Sequence, residues 1–251
     1  MLFQYLVQNA IRKKADQNLY PRLYWGVSVT SALMAKANIQ GDKSRYNLNS
    51  APQFGAEIVI NSYYNFERLC SFVIGIGGGT IVHNFDYNID RKMFEPLAIS
   101  DISTNKAASR EMDIFYFKVP VRLEKRWLCQ KQGDWNLAAG LSLLYALKRS
   151  RQRADVILFP DGHQVQYLTI TQNNYNNNGK PWFNFHVSGG HVWTLGNGTL
   201  LRCNLKVNYS ATDTVLATYR FDVGNQPAVS GRYGISGTYV GICLSYIFFS
   251  Q

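Results

Sequence analysis

Charged residues and long apolar runs are both scarce in this sequence. Asp, Glu, Lys and Arg make up 17% of the 251 residues, whereas soluble domains carry roughly a quarter. A membrane-spanning helix needs about 20 mostly apolar residues, and the charge-free stretches at 183–201 and 234–251 are interrupted by Gly, Ser, Thr and Asn. A helical membrane protein is therefore not expected, and a content of 46% apolar residues excludes intrinsic disorder.

Cysteine pairs at metal-binding spacing are also missing. Cys70, Cys129, Cys203 and Cys243 form no CxxC pair and have no His at ligand spacing, so we expect neither a metal nor another cofactor. The net charge of +10 suits nucleic acid or an anionic membrane surface. Because the basic residues are spread out and no aromatic-interleaved basic groove is present, we expect no nucleic-acid partner.

What the sequence has instead is an apolar residue at every second position. Near the end of the chain, Val240, Ile242 and Leu244 share one face, and the opposite face carries small or polar residues such as Gly241 and Ser245. This period of two predicts β-strands. Eight segments show it, each long enough for a tilted strand to cross a bilayer: 20–35, 52–65, 69–87, 112–128, 133–147, 182–195, 201–210 and 237–248.

The connections between these segments alternate in length. Short turns occur at 65–68, 129–133 and 196–199, and long connections at 36–50, 87–111, 148–180 and 222–232. Short turns on one rim and long loops on the other are typical of outer-membrane barrels, with both termini on the periplasmic side. In the third long connection, Asp161-Gly162 predicts a hairpin that projects outward; if it inserts instead, the barrel has ten strands.

A soluble lipocalin-like barrel shows the same alternation with the apolar face inward. Glycines on the small-polar faces favour the opposite arrangement, because they suit a narrow lumen. Aromatic residues near strand ends would form interfacial girdles: Trp25, Trp127, Trp135, Trp193, Tyr246 and Phe248. We predict an all-β, eight-stranded antiparallel up-and-down transmembrane barrel over residues 20–251. An N-terminal extension at 1–19 has helical spacing of apolar residues and is expected in the periplasm.

Three segments resemble a known family. The final strand at 237–248, the strand at 115–122 with its internal Pro120, and the run at 137–141 are similar to small outer-membrane β-barrel proteins of Bacteroidota, the PorT-like group. The resemblance implies location in the outer membrane of a Gram-negative bacterium and assembly by the barrel insertion machinery. It also implies a role in protein secretion or surface assembly.

Six charged residues fall on the face assigned to the lumen: Glu57, Lys118, Arg122, Glu124, Arg202 and Lys206. Counting from the short-turn rim, we expect Glu57, Arg122 and Lys206 at one height and Glu124 and Arg202 at another. Buried charges require partners, so the first interpretation is a plugged, salt-bridged interior. The alternative is a narrow channel or small-solute path, because four cations face two carboxylates.

Two further clusters lie near the rims. Lys148, Arg149, Arg151 and Arg153 follow the fifth strand on the long-loop side, where lipopolysaccharide phosphates would lie, although a solvated loop accounts for them as well. Cys70 and Cys129 fall at the short-turn rim of neighbouring strands. Their placement allows a disulfide, although two free thiols are the simpler expectation.

Catalysis is not expected. His83, Asp86 and Asp113 fall on neighbouring strands, with Ser100 and Ser103 in the intervening loop, but no local motif of a membrane-barrel enzyme is present. The sequence therefore predicts a non-enzymatic outer-membrane barrel that is a structural or accessory subunit of an envelope, secretion or surface assembly. Expected partners are outer-membrane lipid, lipopolysaccharide and other envelope proteins. The alternative function is a narrow porin-like channel or a small-solute-binding barrel.

Overall fold

The computed structural model describes residues 22–41, 47–67, 69–88, 108–129, 133–146, 150–158, 164–173, 181–195, 199–222 and 227–248. The predicted extension at 1–19 lies outside them. The described residues form fourteen strands: β1 (Leu23–Met34), β2 (Asn38–Gly41), β3 (Asn47–Pro52), β4 (Phe54–Glu67), β5 (Cys70–Asn88), β6 (Ala108–Cys129), β7 (Gly133–Ala146), β8 (Ser150–Leu158), β9 (Gln164–Asn173), β10 (Trp182–Thr194), β11 (Leu200–Ser210), β12 (Asp213–Phe221), β13 (Val229–Ser236) and β14 (Tyr239–Phe248). No described helix is long and apolar enough to span a bilayer.

Eight of these strands close into a barrel. The neighbour order is β5-β4-β1-β14-β11-β10-β7-β6, and β6 pairs again with β5. Every pairing in the ring is antiparallel. The eight predicted segments and this up-and-down topology are confirmed. The start of β1, the end of β14 and the short turns lie on the same rim, here called the short-turn rim.

The hairpin predicted around Asp161-Gly162 is confirmed by the pairing of β8 with β9. The rest of the prediction was wrong, because the long connections are not loops throughout. They contain β2, β8, β9, β12 and β13, which form a second sheet in the order β2-β13-β12-β9-β8. This order repeats the ring order β1-β14-β11-β10-β7. β2, β8, β12 and β13 are each separated from a barrel strand by two or three residues, and β9 is separated from β10 by eight. The ten-strand alternative is also wrong, because β8 and β9 pair with each other beyond the closed ring of eight strands.

The outer face of the ring is apolar and exposed. Its middle carries aliphatic side chains such as Ile58, Leu137 and Leu205. Aromatic side chains flank this band at the short-turn rim, and all six predicted girdle residues are exposed: Trp25, Trp127, Trp135, Trp193, Tyr246 and Phe248. A second set flanks it on the other side: Phe54, Phe115, Phe117, Tyr145, Phe183, Phe185 and Tyr209. Two aromatic girdles around an aliphatic band are typical of a lipid-facing surface.

The apolar face changes sides between the ring and the second sheet. In β11 the odd-numbered residues, such as Leu205 and Val207, point outward. In β12 the odd-numbered residues Ala217 and Tyr219 are buried inside and Thr218 is exposed outside. A register irregularity between 213 and 215 accompanies the change. In β2, β12 and β13, the strands of the second sheet whose side chains are described, the interior is apolar and the exterior is mainly polar, as in a soluble sheet.

Two inward glycines allow neighbouring strands to approach closely. A Cβ at Gly140 would lie 2.6 Å from the Cα of Arg122, and one at Gly190 would lie 2.7 Å from the Cα of Asn204. Real side chains do not tolerate such contacts, so β7 and β10 need glycine at these two positions.

Leu205→Arg places a charge in the middle of the aliphatic band. In lipid vesicles we expect the free energy of unfolding to fall by about 2–4 kcal/mol, measured by urea denaturation. Thr218→Arg is the matched control, since Thr218 is exposed on the outer face of the second sheet, and it should leave the midpoint unchanged. Equal losses in both variants would contradict the change of faces.

Candidate functional site

Glu57 on β4 is the centre of the first charged layer in the lumen. Its carboxylate accepts hydrogen bonds from Lys118 Nζ at 2.7 Å and Lys206 Nζ at 2.5 Å. The hydroxyls of Tyr116 and Tyr239 donate to the same carboxylate at 3.1 and 3.0 Å. These residues belong to β4, β6, β11 and β14, so one buried carboxylate joins four strands across the lumen.

Glu124 on β6 is the centre of a second layer, closer to the short-turn rim. Arg202 of β11 donates two parallel hydrogen bonds of 2.6 Å each to both carboxylate oxygens. Arg126 Nε donates to Glu124 at 3.2 Å, and its guanidinium lies over the ring of Tyr24. Two-pronged guanidinium–carboxylate pairs are the strongest and most directional protein ion pairs, so this layer fixes β6 against β11.

Arg122 lies between the two layers. The prediction that it shares a height with Glu57 was wrong: Arg122 donates to Asn61 Oδ1 at 3.1 Å and to the Tyr63 hydroxyl at 3.3 Å. Its guanidinium also lies over the Tyr63 ring. Lys118, four residues earlier on β6, takes the predicted place beside Glu57, because the strand tilt moves the pairing by two inward steps.

Apolar clusters lie beyond both charged layers. Towards the second sheet, the larger cluster includes Phe85, Phe221 and Tyr233, with side chains at 0–1% exposure. Towards the short-turn rim, Tyr24 and Tyr63 stack at 4.7 Å, in a smaller cluster that also holds Leu200 and Ile247. The charges are thus enclosed above and below by packed side chains.

The wall formed by β7, β10 and β11 carries polar groups that lack partners within the described residues. Buried His186 contacts Ser142 through Nδ1 at 3.1 Å, and its Nε2 has no hydrogen-bond partner. The side-chain amides of Asn136 and Asn184 are also buried without a partner. Unpaired buried polar groups are rare in proteins and point to bound water or ions.

The predicted basic cluster is only partly described. Arg151 and Arg153 lie on β8 in the second sheet, and Lys148 and Arg149 lie outside the described residues. The structure does not form the disulfide that the sequence allowed. Cys70 is free, and its register partner on β6 is Lys125, four residues before Cys129. That offset separates the two Cα atoms by about 13 Å, beyond disulfide reach.

His83 lies in the apolar interior near the second sheet. It is fully buried, and both ring nitrogens lack a partner among the described residues. Asp113 pairs in register with Val82, the residue before His83, but the side chains of Asp86 and Asp113 lie outside the description, as do Ser100 and Ser103. Within the described residues no group of His, Cys, Asp and Glu is arranged to hold a metal ion.

Three residues of the charged layers were missed from the sequence: Arg126, Tyr116 and Tyr239. Their signal was present, because Arg126 and Tyr116 share the even-numbered parity of the inward residues on β6. Tyrosine hydroxyls as partners of a buried carboxylate have no sequence signature of their own.

No protein-family model matches the sequence, and no curated protein is significantly similar to it. Among solved structures, the chain resembles the outer membrane protein OprG from Pseudomonas aeruginosa, with TM-score 0.43 and 9% identity over 91% of this chain and 95% of that one. It also resembles the Neisserial surface protein A, with TM-score 0.39 and 11% identity over 89% and 96% of the two chains. The assignment of the fold rests on the strand pairing. Membership of the PorT-like group stays a prediction.

Glu57→Gln removes the carboxylate and leaves two ammonium groups buried without a counter-charge. We expect it to lower the free energy of unfolding by about 3–5 kcal/mol in urea titrations. Arg220→Gln breaks the exposed ion pair between Arg220 and Asp222 and should change nothing measurable. A Glu57→Gln barrel as stable as the wild type would contradict the account of the first layer.

Proposed function

We propose that the chain is an outer-membrane β-barrel of a Gram-negative bacterium that anchors its second sheet at the cell surface and does not conduct ions. The apolar band supports membrane insertion. On β1 the outward residues run from Leu23 to Leu33, about 33 Å along the strand, or about 25 Å across the membrane at the usual tilt. The short-turn rim and both termini then face the periplasm.

The proposal that the barrel does not conduct ions rests on its closed lumen. Glu57, Lys118, Glu124 and Arg202 are each 1–3% exposed, so their charges are engaged with one another and a hydrated ion has no free path between them. The apolar clusters on either side of the charged layers also block the lumen along its axis. A conducting pore of this width would need solvated charges along its length.

The second sheet supports a structural or accessory role. Its order begins at β2 and ends at β8, and within the described residues the outer edges of these two strands have no neighbour in that sheet. Open strand edges present backbone donors and acceptors that can pair with an extended segment of another protein. We therefore propose that another envelope protein, belonging to a secretion or surface assembly, binds at the second sheet.

A narrow channel is the second candidate, favoured by one observation. Arg122 points into the lumen and is only partly buried, so some space adjoins a cation in the middle of the barrel. We expect the wild type to be silent in planar bilayers, and Glu57→Ala combined with Arg122→Ala to be silent as well, because the apolar cluster above remains. Discrete current steps in the wild type that grow with salt concentration would replace the anchor proposal with the channel.

The basic cluster at the start of β8 indicates which lipid contacts the barrel there. We propose that Lys148, Arg149, Arg151 and Arg153 contact lipopolysaccharide phosphates through charge-assisted hydrogen bonds.

Purification from native outer membranes tests the lipid and protein partners together. The wild type should carry both lipid A and a specific protein, whereas replacement of the four basic residues by Gln should lower lipid A several-fold and leave the protein partner bound. Unchanged lipid A in the variant would rule out the phosphate contacts. A wild type without any stoichiometric protein would rule out the accessory role.

A further inference from the structure

A lysine and a histidine interrupt the apolar outer wall of the ring near the short-turn rim. Among the outward residues of the eight ring strands whose side chains are described, Lys125 of β6 and His191 of β10 are the only ones of the types Lys, Arg, His, Asp or Glu. A cation that faces lipid is strongly unfavourable unless it reaches the headgroups. This sector of the wall therefore differs chemically from the rest of the lipid-facing surface.

The ammonium group of Lys125 is directed towards the short-turn rim. Its Nζ lies 5.8 Å from the centre of the Trp127 ring, and Trp127 is the next outward residue of β6 in the direction of that rim. The adjacent acidic residue, Glu124, points into the lumen and is bound by Arg202, and no described carboxylate pairs with Lys125 on the outer wall. The aliphatic part of the side chain thus covers the apolar wall, while the charge reaches the height of the headgroups.

Aromatic side chains connect the lysine to the histidine across three strands. Trp127 pairs in register with Trp135 of β7, and Trp135 pairs in register with His191. The His191 ring lies 5.3 Å from the Trp135 ring, edge to face, and 4.7 Å from the Trp193 ring. The three tryptophans are 42–55% exposed. Trp127, Trp135, His191 and Trp193, here called the indole row, therefore present a continuous aromatic surface to the surroundings.

The opposite side of the same girdle has a tryptophan but no cation. Trp25 of β1 lies four strands from Trp135 of β7 in either direction around the ring. Its register partners are Ser62 and Phe248, which carry no charge. The combination of a cation with exposed indoles is thus confined to one sector of the rim, within the described residues, and is not a general property of the girdle.

We propose that Lys125 and the indole row bind the headgroup of one anionic phospholipid, such as phosphatidylglycerol. The lipid phosphate accepts hydrogen bonds from the Lys125 ammonium group. The glycerol backbone and the upper acyl chains pack on Trp127 and Trp135, whose indole N–H groups are donors at the polar boundary. The site rests on the proposed function, in which the short-turn rim lies in the periplasmic leaflet, where phospholipid takes the place of lipopolysaccharide.

Native mass spectrometry of the full chain measures the lipid preference. The protein is refolded in detergent micelles and titrated with phosphatidylglycerol or phosphatidylcholine of identical acyl chains. The wild type should retain one phosphatidylglycerol about fivefold more strongly than phosphatidylcholine, the usual contribution of one lysine at an anionic lipid surface. Lys125→Gln should remove this preference. Trp135→Leu should weaken the binding of both lipids, whereas Trp25→Leu, the matched control, should behave as the wild type.

Three results would overturn the lipid site. They are equal retention of the two lipids by the wild type, an unchanged preference in Lys125→Gln, and equal losses in Trp135→Leu and Trp25→Leu. Displacement of the lipid by an equal concentration of inorganic phosphate would also overturn it, because the indole row would then contribute nothing. Current steps in the bilayer recording would overturn the anchor proposal and leave the lipid preference in place, so the two failures are distinguishable.

Discussion

Two carboxylates enclosed in a narrow barrel are the interaction on which the rest of the structure depends. Glu57 draws side chains from β6, β11 and β14 to β4, and Glu124 fixes β11 against β6. A closed ring of strands already fixes which residues point inward. The carboxylates then determine which inward residues meet across the lumen, because an unpaired charge there is far more costly than a poor apolar contact. The closed lumen, on which the proposed anchor function rests, follows from that pairing.

The barrel strands and the strands of the second sheet that follow them lie in two different environments, lipid and water. Within the band, apolar side chains face outward and polar ones face inward, and in β12 and β13 of the second sheet the arrangement is reversed. The short breaks between β1 and β2, and between β11 and β12, change the parity of the inward residues from even to odd. An apolar outer surface is stable only in lipid, and an apolar interior with a polar exterior is stable in water. The break therefore marks where the chain leaves the membrane.

The strict alternation made the eight barrel strands predictable, since Leu205 and Ile242 repeat a pattern that helices and loops do not produce. The same alternation made it possible to predict which charged residues point into the lumen. Strand tilt was not predictable, so Arg122 was placed beside Glu57 where Lys118 belongs. The second sheet was missed for another reason. A strand such as β12 is short, and its change of parity at 211–214 interrupts the alternation that identifies a strand. The hairpin of β8 and β9 was predictable because Asp161-Gly162 is a local turn signal.

Spin labels along β11 and β12 test the change of faces most directly. In a cysteine-free background, single Cys substitutions of Val207, Tyr209, Thr218, Tyr219 and Arg220 would be labelled in lipid vesicles, and collisions with oxygen and with a water-soluble nickel complex compared. The account predicts oxygen contact at 207 and 209, nickel contact at 218 and 220, and neither at 219. Nickel contact at 207, or an exposed label at 219 with a buried one at 218, would contradict it.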